Sequence, residues 1–183
     1  MPENIVEVSH LKKRFSGGKD ALRDVTFSLP YGCIMGYVGE NGAGKTTTLR
    51  CLLRVQNADE GEIRLVGTPL ADLACTDWEK VGAVYDESSF APYLTPRCLA
   101  GILRGLYRRW DDRCFEALLA RFRLPDEQKI GTFSKGMQTK LNLAAALAHH
   151  PQLLVLDEVT GGLDPVAREE ILDLFLEFVQ QDD

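Results

Sequence analysis

Gly39, Gly42 and Gly44 punctuate the run Gly39-Glu40-Asn41-Gly42-Ala43-Gly44-Lys45-Thr46-Thr47, whose spacing is G-x-x-x-x-G-K-[ST]. Glycines at this spacing let the backbone turn tightly and aim several N–H groups at one anion. A helix that starts immediately after them adds its positive N-terminal end. Lys45 then supplies a mobile positive charge suited to the β- and γ-phosphates of a nucleotide. Thr46 offers a hydroxyl oxygen to Mg²⁺, a hard cation that prefers oxygen. The pattern points to nucleotide phosphates and leaves the reaction open.

Two further groups could act on the same ligand. The run Leu153-Leu154-Val155-Leu156 ends in Asp157-Glu158. In a parallel sheet the strand ends face the ligand crevice. Asp157 could therefore hold Mg²⁺ through water, and Glu158 could orient or deprotonate a water near the γ-phosphate. By itself an Asp-Glu pair after a strand is a solvated strand end, and the upstream phosphate loop is what gives it meaning. Phe133-Ser134-Lys135-Gly136-Met137-Gln138 opens a Leu/Ala-rich stretch. Ser134 is suited to cap that helix, and Gly136 exposes backbone N–H at its positive end. This makes a second anion site, although a Ser-x-Gly helix start is common on its own.

The elements that must position these residues can be read from periodicity. Ile5, Val6 and Val8 suggest a first strand, and the alternating Val25, Phe27 and Leu29 a second. Cys33 to Val38 is continuously apolar and reads as a strand buried on both faces, leading into the glycine loop. A helix is expected from about Lys45 to Arg54, with short strands at Glu62–Val66 and Val81–Tyr85. From about Leu99 to Leu124 the pattern is helical, as an insert between two parts of an α/β core would be. Lys135–Ala148 is a further helix and Leu153–Leu156 a fully buried strand. Asp164 as N-cap and Pro165 at the first position open the last helix. There Ile171, Leu172, Phe175, Phe178 and Val179 recur as one apolar stripe.

Composition sets the outer limits. At 183 residues the chain can bury the core of one domain. A formal charge of -6 argues against a protein whose main partner is nucleic acid. No window approaches the ~20 apolar residues that span a bilayer. The opening MPENIVEVSH has no apolar h-region, so no signal peptide is expected. The five cysteines, Cys33, Cys51, Cys75, Cys98 and Cys114, lack close pairs and read as reduced thiols of a cytosolic protein.

The phosphate loop, the Ser-Lys-Gly-Met-Gln start, the Leu-Leu-Val-Leu-Asp-Glu strand end and Gly162-Leu163-Asp164-Pro165, in this order, resemble the nucleotide-binding domain of ABC transporters. The resemblance covers essentially the whole chain. It implies an α/β fold with a P-loop NTPase core: a mostly parallel sheet with flanking helices, a small antiparallel part and a helical insert at about 87–150, all within one domain, 1–183. It also implies ATP and Mg²⁺ as ligands. Gly39, Asn41, Gly42, Gly44, Lys45, Thr46 and Thr47 would hold ATP, with Phe15 stacking on adenine. Thr46, Asp157 and Asp86 would serve the metal, and Glu158 would be catalytic. In that family two domains pair head to tail, so Ser134, Gly136, Met137 and Asp164 would act on a partner's ATP. The partners implied are a second ABC ATPase domain, identical or not, and membrane-spanning subunits that dock near Ser88 to Arg109. The chain would then lie on the cytoplasmic face of the membrane. The resemblance assigns choice of substrate to those membrane subunits.

The departures also matter. Lys135 and Met137 replace a glycine and a glutamine of the usual signature; Lys135 would either attract the γ-phosphate or face solvent. Val159 stands where the family has proline. Asp86 replaces a glutamine, and a carboxylate can ligate Mg²⁺ but cannot donate a hydrogen bond. Tyr85-Asp86-Glu87 with the Ser-Lys-Gly-Met start is similar to a subgroup serving small bacterial exporters, which makes export the expected direction. The family's further strand and its γ-phosphate histidine are not found after Asp157, since the only histidines are His10, His149 and His150. His149 and His150 read as helix-end residues complementing the dipole before Pro151. A truncated copy, by fragment or early stop, is the expectation. The alternative to a hydrolysing motor is a nucleotide-binding or regulatory module with little turnover.

Overall fold

Apolar residues spaced for one face of a strand build the first sheet. The structure, a computed structural model, describes residues 3–18, 20–85, 90–161 and 163–180. β1 (Asn4–Arg14) buries Ile5, Val6, Val8 and Leu11. It pairs antiparallel with β2 (Asp20–Pro30) on one side and β3 (Glu60–Leu65) on the other. A two-residue β4 (Thr68–Pro69) completes the order β2-β1-β3-β4. Register slips between Ser9 and Lys12 in the β1–β3 pairing, where Gly61 adopts φ 94. A Cβ at Gly61 would lie 2.5 Å from the His10 carbonyl oxygen, so only glycine fits. α1 (Lys45–Leu52) follows the phosphate loop and buries Thr48, Cys51 and Leu52.

The remaining α-helices and strands among the described residues are α2 (Cys75–Trp78), β5 (Val81–Val84), α3 (Pro96–Leu106), α4 (Asp112–Arg121), α5 (Lys135–Leu147), β6 (Leu153–Leu156) and α6 (Pro165–Gln180). β5 and β6 pair in parallel from Val81↔Leu153 to Val84↔Leu156. α5 lies in the crossover between them and packs against β5 and α4. Thr95 and Asp111 cap α3 and α4 by accepting from backbone N–H groups of the first turn. The chain divides into two compact units, Met1–Asp77 with Glu177–Asp183, and Trp78–Leu176. All five cysteines are free thiols.

Three expectations are corrected. Cys33–Val38 forms no strand: Ile34, Met35, Tyr37 and Val38 are exposed, Val38 to 93%. Apolar composition suits a buried strand, but a strand also needs neighbouring backbone to complete its ladder. Among the described residues β1 to β4 pair within one sheet and β5 with β6, leaving this run outside both. The helical pattern read from about Leu99 to Leu124 holds, as two helices, because Asp111 starts a new one after Leu106. On α6 the buried face is Ala167, Ile171 and Leu174, whereas Leu172 points outward at 45% exposure.

The third is His149, which is not a helix-end residue complementing the dipole. It is 1% exposed and stacks on Tyr107 with ring centroids 4.3 Å apart. Neither ring nitrogen makes a sound hydrogen bond among the described residues. Burial pushes its pKa below the ordinary 6.5, outweighing the opposing pull of the Ala145 and Val81 backbone. The folded state therefore keeps His149 neutral where the unfolded chain would protonate it. Its stabilising effect is whole above pH 6.5 and is lost as pH falls below that value. His150 faces a side-chain partner instead: its Nε2 lies 3.2 Å from Oδ2 of Asp111. We expect His149→Phe, which keeps the stacked ring and removes the titration, to flatten the acid side of the stability curve. The check is urea unfolding of both proteins between pH 7.5 and 5. A free-energy difference that stays constant across that range would count against a neutral buried His149.

Candidate nucleotide site

The phosphate loop is shaped by positive backbone angles that side chains disfavour. Gly42 has φ 85 and Gly44 φ 92. The Ala43 N–H donates to the Glu40 carbonyl at 3.1 Å, closing a turn. Gly44 occupies the N-cap of α1, where a Cβ would meet Ala21 O at 2.5 Å and Leu22 Cδ2 at 2.6 Å. The first intrahelical amide bond is Thr48 N–H to Gly44 O at 2.8 Å. The amides of the turn before it lack intrahelical partners, as at any helix start. No acidic side chain in the first turn offsets the positive end.

Lys45 spans the loop. Its Nζ donates to the Gly39 carbonyl at 2.7 Å and to the Glu40 carbonyl at 3.0 Å. The ammonium is thus held over the loop by neutral acceptors, without a paired carboxylate in those contacts. A phosphate oxygen would be a stronger acceptor for it than either carbonyl. Asn41 and Gly42 are exposed, while Thr46 and Thr47 are half-buried at the start of α1. Phe15, 44% exposed, follows β1 in a turn closed by Gly18 N–H to Phe15 O at 3.0 Å. Sequence reading missed Thr48. It is fully buried, its Oγ1 donates to Gly44 O at 3.0 Å, and Tyr37 Oη lies 3.4 Å away. Its place one turn after Gly44 was the available signal.

The second unit carries the other candidates. The Asp157 N–H donates to the Val84 carbonyl at 2.9 Å, extending the β5–β6 ladder by one residue. At Glu158 the chain turns sharply: φ is 54, and its carbonyl accepts from Gly161 N–H at 3.0 Å. A left-handed non-glycine residue costs about 1–2 kcal/mol and is held by its surroundings. Val159, only 5% exposed, anchors the turn, and the Glu158 side chain is left exposed. Ser134 caps α5 as its type suggests, its Oγ accepting from Met137 N–H at 3.2 Å. Asp164 caps α6 in the same way, its Oδ1 accepting from Ala167 N–H at 3.0 Å. Gly136 approaches Leu163, whose Cδ2 lies 3.4 Å from where a Cβ would stand.

The phosphate loop and Phe15 therefore belong to the first unit, and Ser134, Gly136, Met137, Asp157, Glu158 and Asp164 to the second. Asp86 lies outside the described residues. Backbone donors at a glycine-turned helix start, a lysine held by neutral acceptors and threonine hydroxyls beside it suit a nucleotide triphosphate with its Mg²⁺. Among the described residues no cluster of histidine, cysteine and carboxylate groups could hold a metal alone. The available donors instead fit a cation that arrives with phosphate oxygens.

The fold and these loops define a P-loop ATP-binding domain, and comparison with known proteins gives the family. A model described as "ABC transporter" matches residues 22–161, so the chain belongs to the ABC transporter family. The chain is 33% identical to phosphonates import ATP-binding protein PhnC 1 of Rhodopseudomonas palustris, covering 94% of this chain and 68% of that one. It is 36% identical to Nod factor export ATP-binding protein I of Burkholderia lata, covering 92% and 57%. A solved ATP-binding subunit of an ABC transporter superposes with a TM-score of 0.85 at 30% identity, over 97% of this chain and 75% of the other. Across the curated relatives compared, the chain spans between 55% and 70% of their lengths. Relatives named for import and for export both occur, so kinship does not carry the expected export direction. No helix among the described residues is long and apolar enough to cross a membrane.

Proposed function

We propose that this chain binds and hydrolyses ATP as the energy-coupling part of an ABC transporter. The observation that carries the reading is the Lys45 ammonium drawn across the Gly39 and Glu40 carbonyls, above a glycine-capped helix start free of first-turn acids. In this reading the loop amides and Lys45 bind the β- and γ-phosphates, and Phe15 covers the adenine. Thr46 and Asp157 hold Mg²⁺, with Asp86 as a further oxygen donor. When bound, that ion neutralises charge on the phosphates. Glu158 accepts a proton from a water that attacks the γ-phosphorus. The bond to the bridging oxygen breaks, releasing ADP and phosphate. Ser134, Gly136, Met137 and Asp164 act on the ATP of a second such domain, and membrane-spanning subunits receive the motion through the insert. That assembly places the chain at the cytoplasmic face of a membrane. Export as the direction rests on the Tyr85-Asp86-Glu87 and Ser-Lys-Gly-Met similarities alone.

One observation favours a second reading, a nucleotide-binding module with little turnover. Cys33–Val38, which leads into the phosphate loop, is exposed and outside both sheets. A loop without a rigid strand before it holds phosphate less firmly. Titration with a fluorescent ATP analogue tests the element both readings share. Lys45→Ala is expected to weaken binding roughly 10- to 100-fold, by loss of a charge-assisted contact. Unchanged affinity would remove the phosphate loop from either account.

A further inference from the structure

The start of α5 and the start of α6 are tied together by residues that no motif of this chain includes. Lys140 lies one turn beyond Gly136 on α5, and Glu170 lies in the second turn of α6. Lys140 Nζ donates to Glu170 Oε2 at 2.6 Å. The pair is partly shielded, with side-chain exposures of 15% and 36%. Below the ammonium lies the ring of Phe122, a buried residue at the end of α4, with its centroid 5.7 Å away. A lysine stem partly shielded from water, with a carboxylate on one side and a ring face on the other, has lost much of its freedom. At the other end of the same strip Leu163 lies near Gly136, its Cδ2 3.4 Å from where a Cβ would stand. The ion pair and this close approach, four residues apart on α5, thus bracket the 163–170 segment.

This bracketing bears on four candidate residues at once. Ser134, Gly136 and Met137 form the first turn of α5, and Asp164 caps α6. A small rotation of either helix would change the distance between the α5 amides and Asp164. An ion pair spanning 30 residues of sequence resists such rotation better than the caps, which act within one helix.

We propose that Lys140 and Glu170, backed by Phe122, are positioning residues that present the Ser134–Met137 turn and Asp164 to a partner's ATP as one rigid surface. The inference rests on the proposed head-to-tail pairing. Neither side chain needs to touch nucleotide. Lys140→Met keeps the stem and removes the charge, and Glu170→Gln keeps the shape of its partner.

The test uses the whole chain carrying Glu158→Gln, so that ATP is retained, and measures ATP-dependent dimerisation by sedimentation. Each single substitution is expected to raise the ATP concentration for half-maximal dimerisation about tenfold, a size usual for coupled pairs. The affinity of the monomer for a fluorescent ATP analogue should change less than about twofold, because the phosphate loop is untouched. The exchanged pair Lys140→Glu with Glu170→Lys should recover most of the loss. If the singles dimerise as the parent does, or lose dimer and monomer affinity equally, the positioning role is refuted. If the exchanged pair behaves no better than the singles, the contact is not what matters and the proposal again falls. If the Glu158→Gln parent itself stays monomeric with ATP, the head-to-tail reading fails first and takes this inference with it.

Discussion

Glu158→Gln is expected to cut ATP turnover by roughly 100- to 1,000-fold while ATP remains bound, the size expected for losing a positioned base. Glutamine matches glutamate in length and shape but cannot take a proton from water at neutral pH. The backbone makes this substitution unusually clean. Glu158 sits at φ 54, held by the Gly161 N–H on its carbonyl and by the buried Val159 beside it. Glutamine meets the same conformational cost there, so the turn and Asp157 should not move. Steady-state phosphate release and fluorescent-nucleotide binding, measured on both proteins, check the two halves of this expectation. A variant that turns over within about threefold of wild type would remove Glu158 as the base. Negligible turnover in the wild type, with binding intact, would instead favour the module that binds without hydrolysing.

Gly44→Ala should abolish high-affinity nucleotide binding and lower stability by about 2 kcal/mol or more. Two separate costs coincide at this position. Gly44 has φ 92, an angle that alanine adopts only under strain, and its Cβ would stand 2.5 Å from the Ala21 carbonyl oxygen. That oxygen belongs to the backbone of β2, so it cannot swing aside as a side-chain tip could. The start of α1 must shift instead, and the Lys45, Thr46 and Thr47 amides shift with it. Gly42→Ala is the internal comparison. It has φ 85 but nothing within 4 Å of its added Cβ, so it incurs strain without collision. We expect Gly42→Ala to lose about 1 kcal/mol and to retain measurable binding. Thermal melts and nucleotide titrations of the two variants should separate clearly. Equal behaviour would mean that the contact with β2 does not shape the loop.

Much of the site was legible because its devices are short-range. Ser134 and Asp164 accept from amides three residues ahead, as cap residues do, and their types announce it. Gly42 and Gly44 announce positive φ angles. β5 and β6 were readable as short apolar runs because each found the other. Cys33–Val38 has the same composition and did not become a strand. Ladder formation depends on backbone supplied from elsewhere in the chain, which composition does not record. α6 shows the same limit on a smaller scale. Its apolar positions are numerous enough to draw more than one stripe, and packing chose Ala167, Ile171 and Leu174 over Leu172.

By itself the order of residues determined the local devices: a glycine-turned loop with Lys45, a strand that ends in Asp157-Glu158 and two capped helix starts. Those features depend on neighbours within four or five positions, where covalent geometry and local hydrogen bonds dominate. Tertiary structure alone decided which apolar segments are covered, that His149 is a neutral buried ring rather than a helix-end cation, and that Lys140 reaches Glu170 across 30 residues. Burial and long-range pairing depend on which surfaces finally meet, and that is set by the packing of the whole chain.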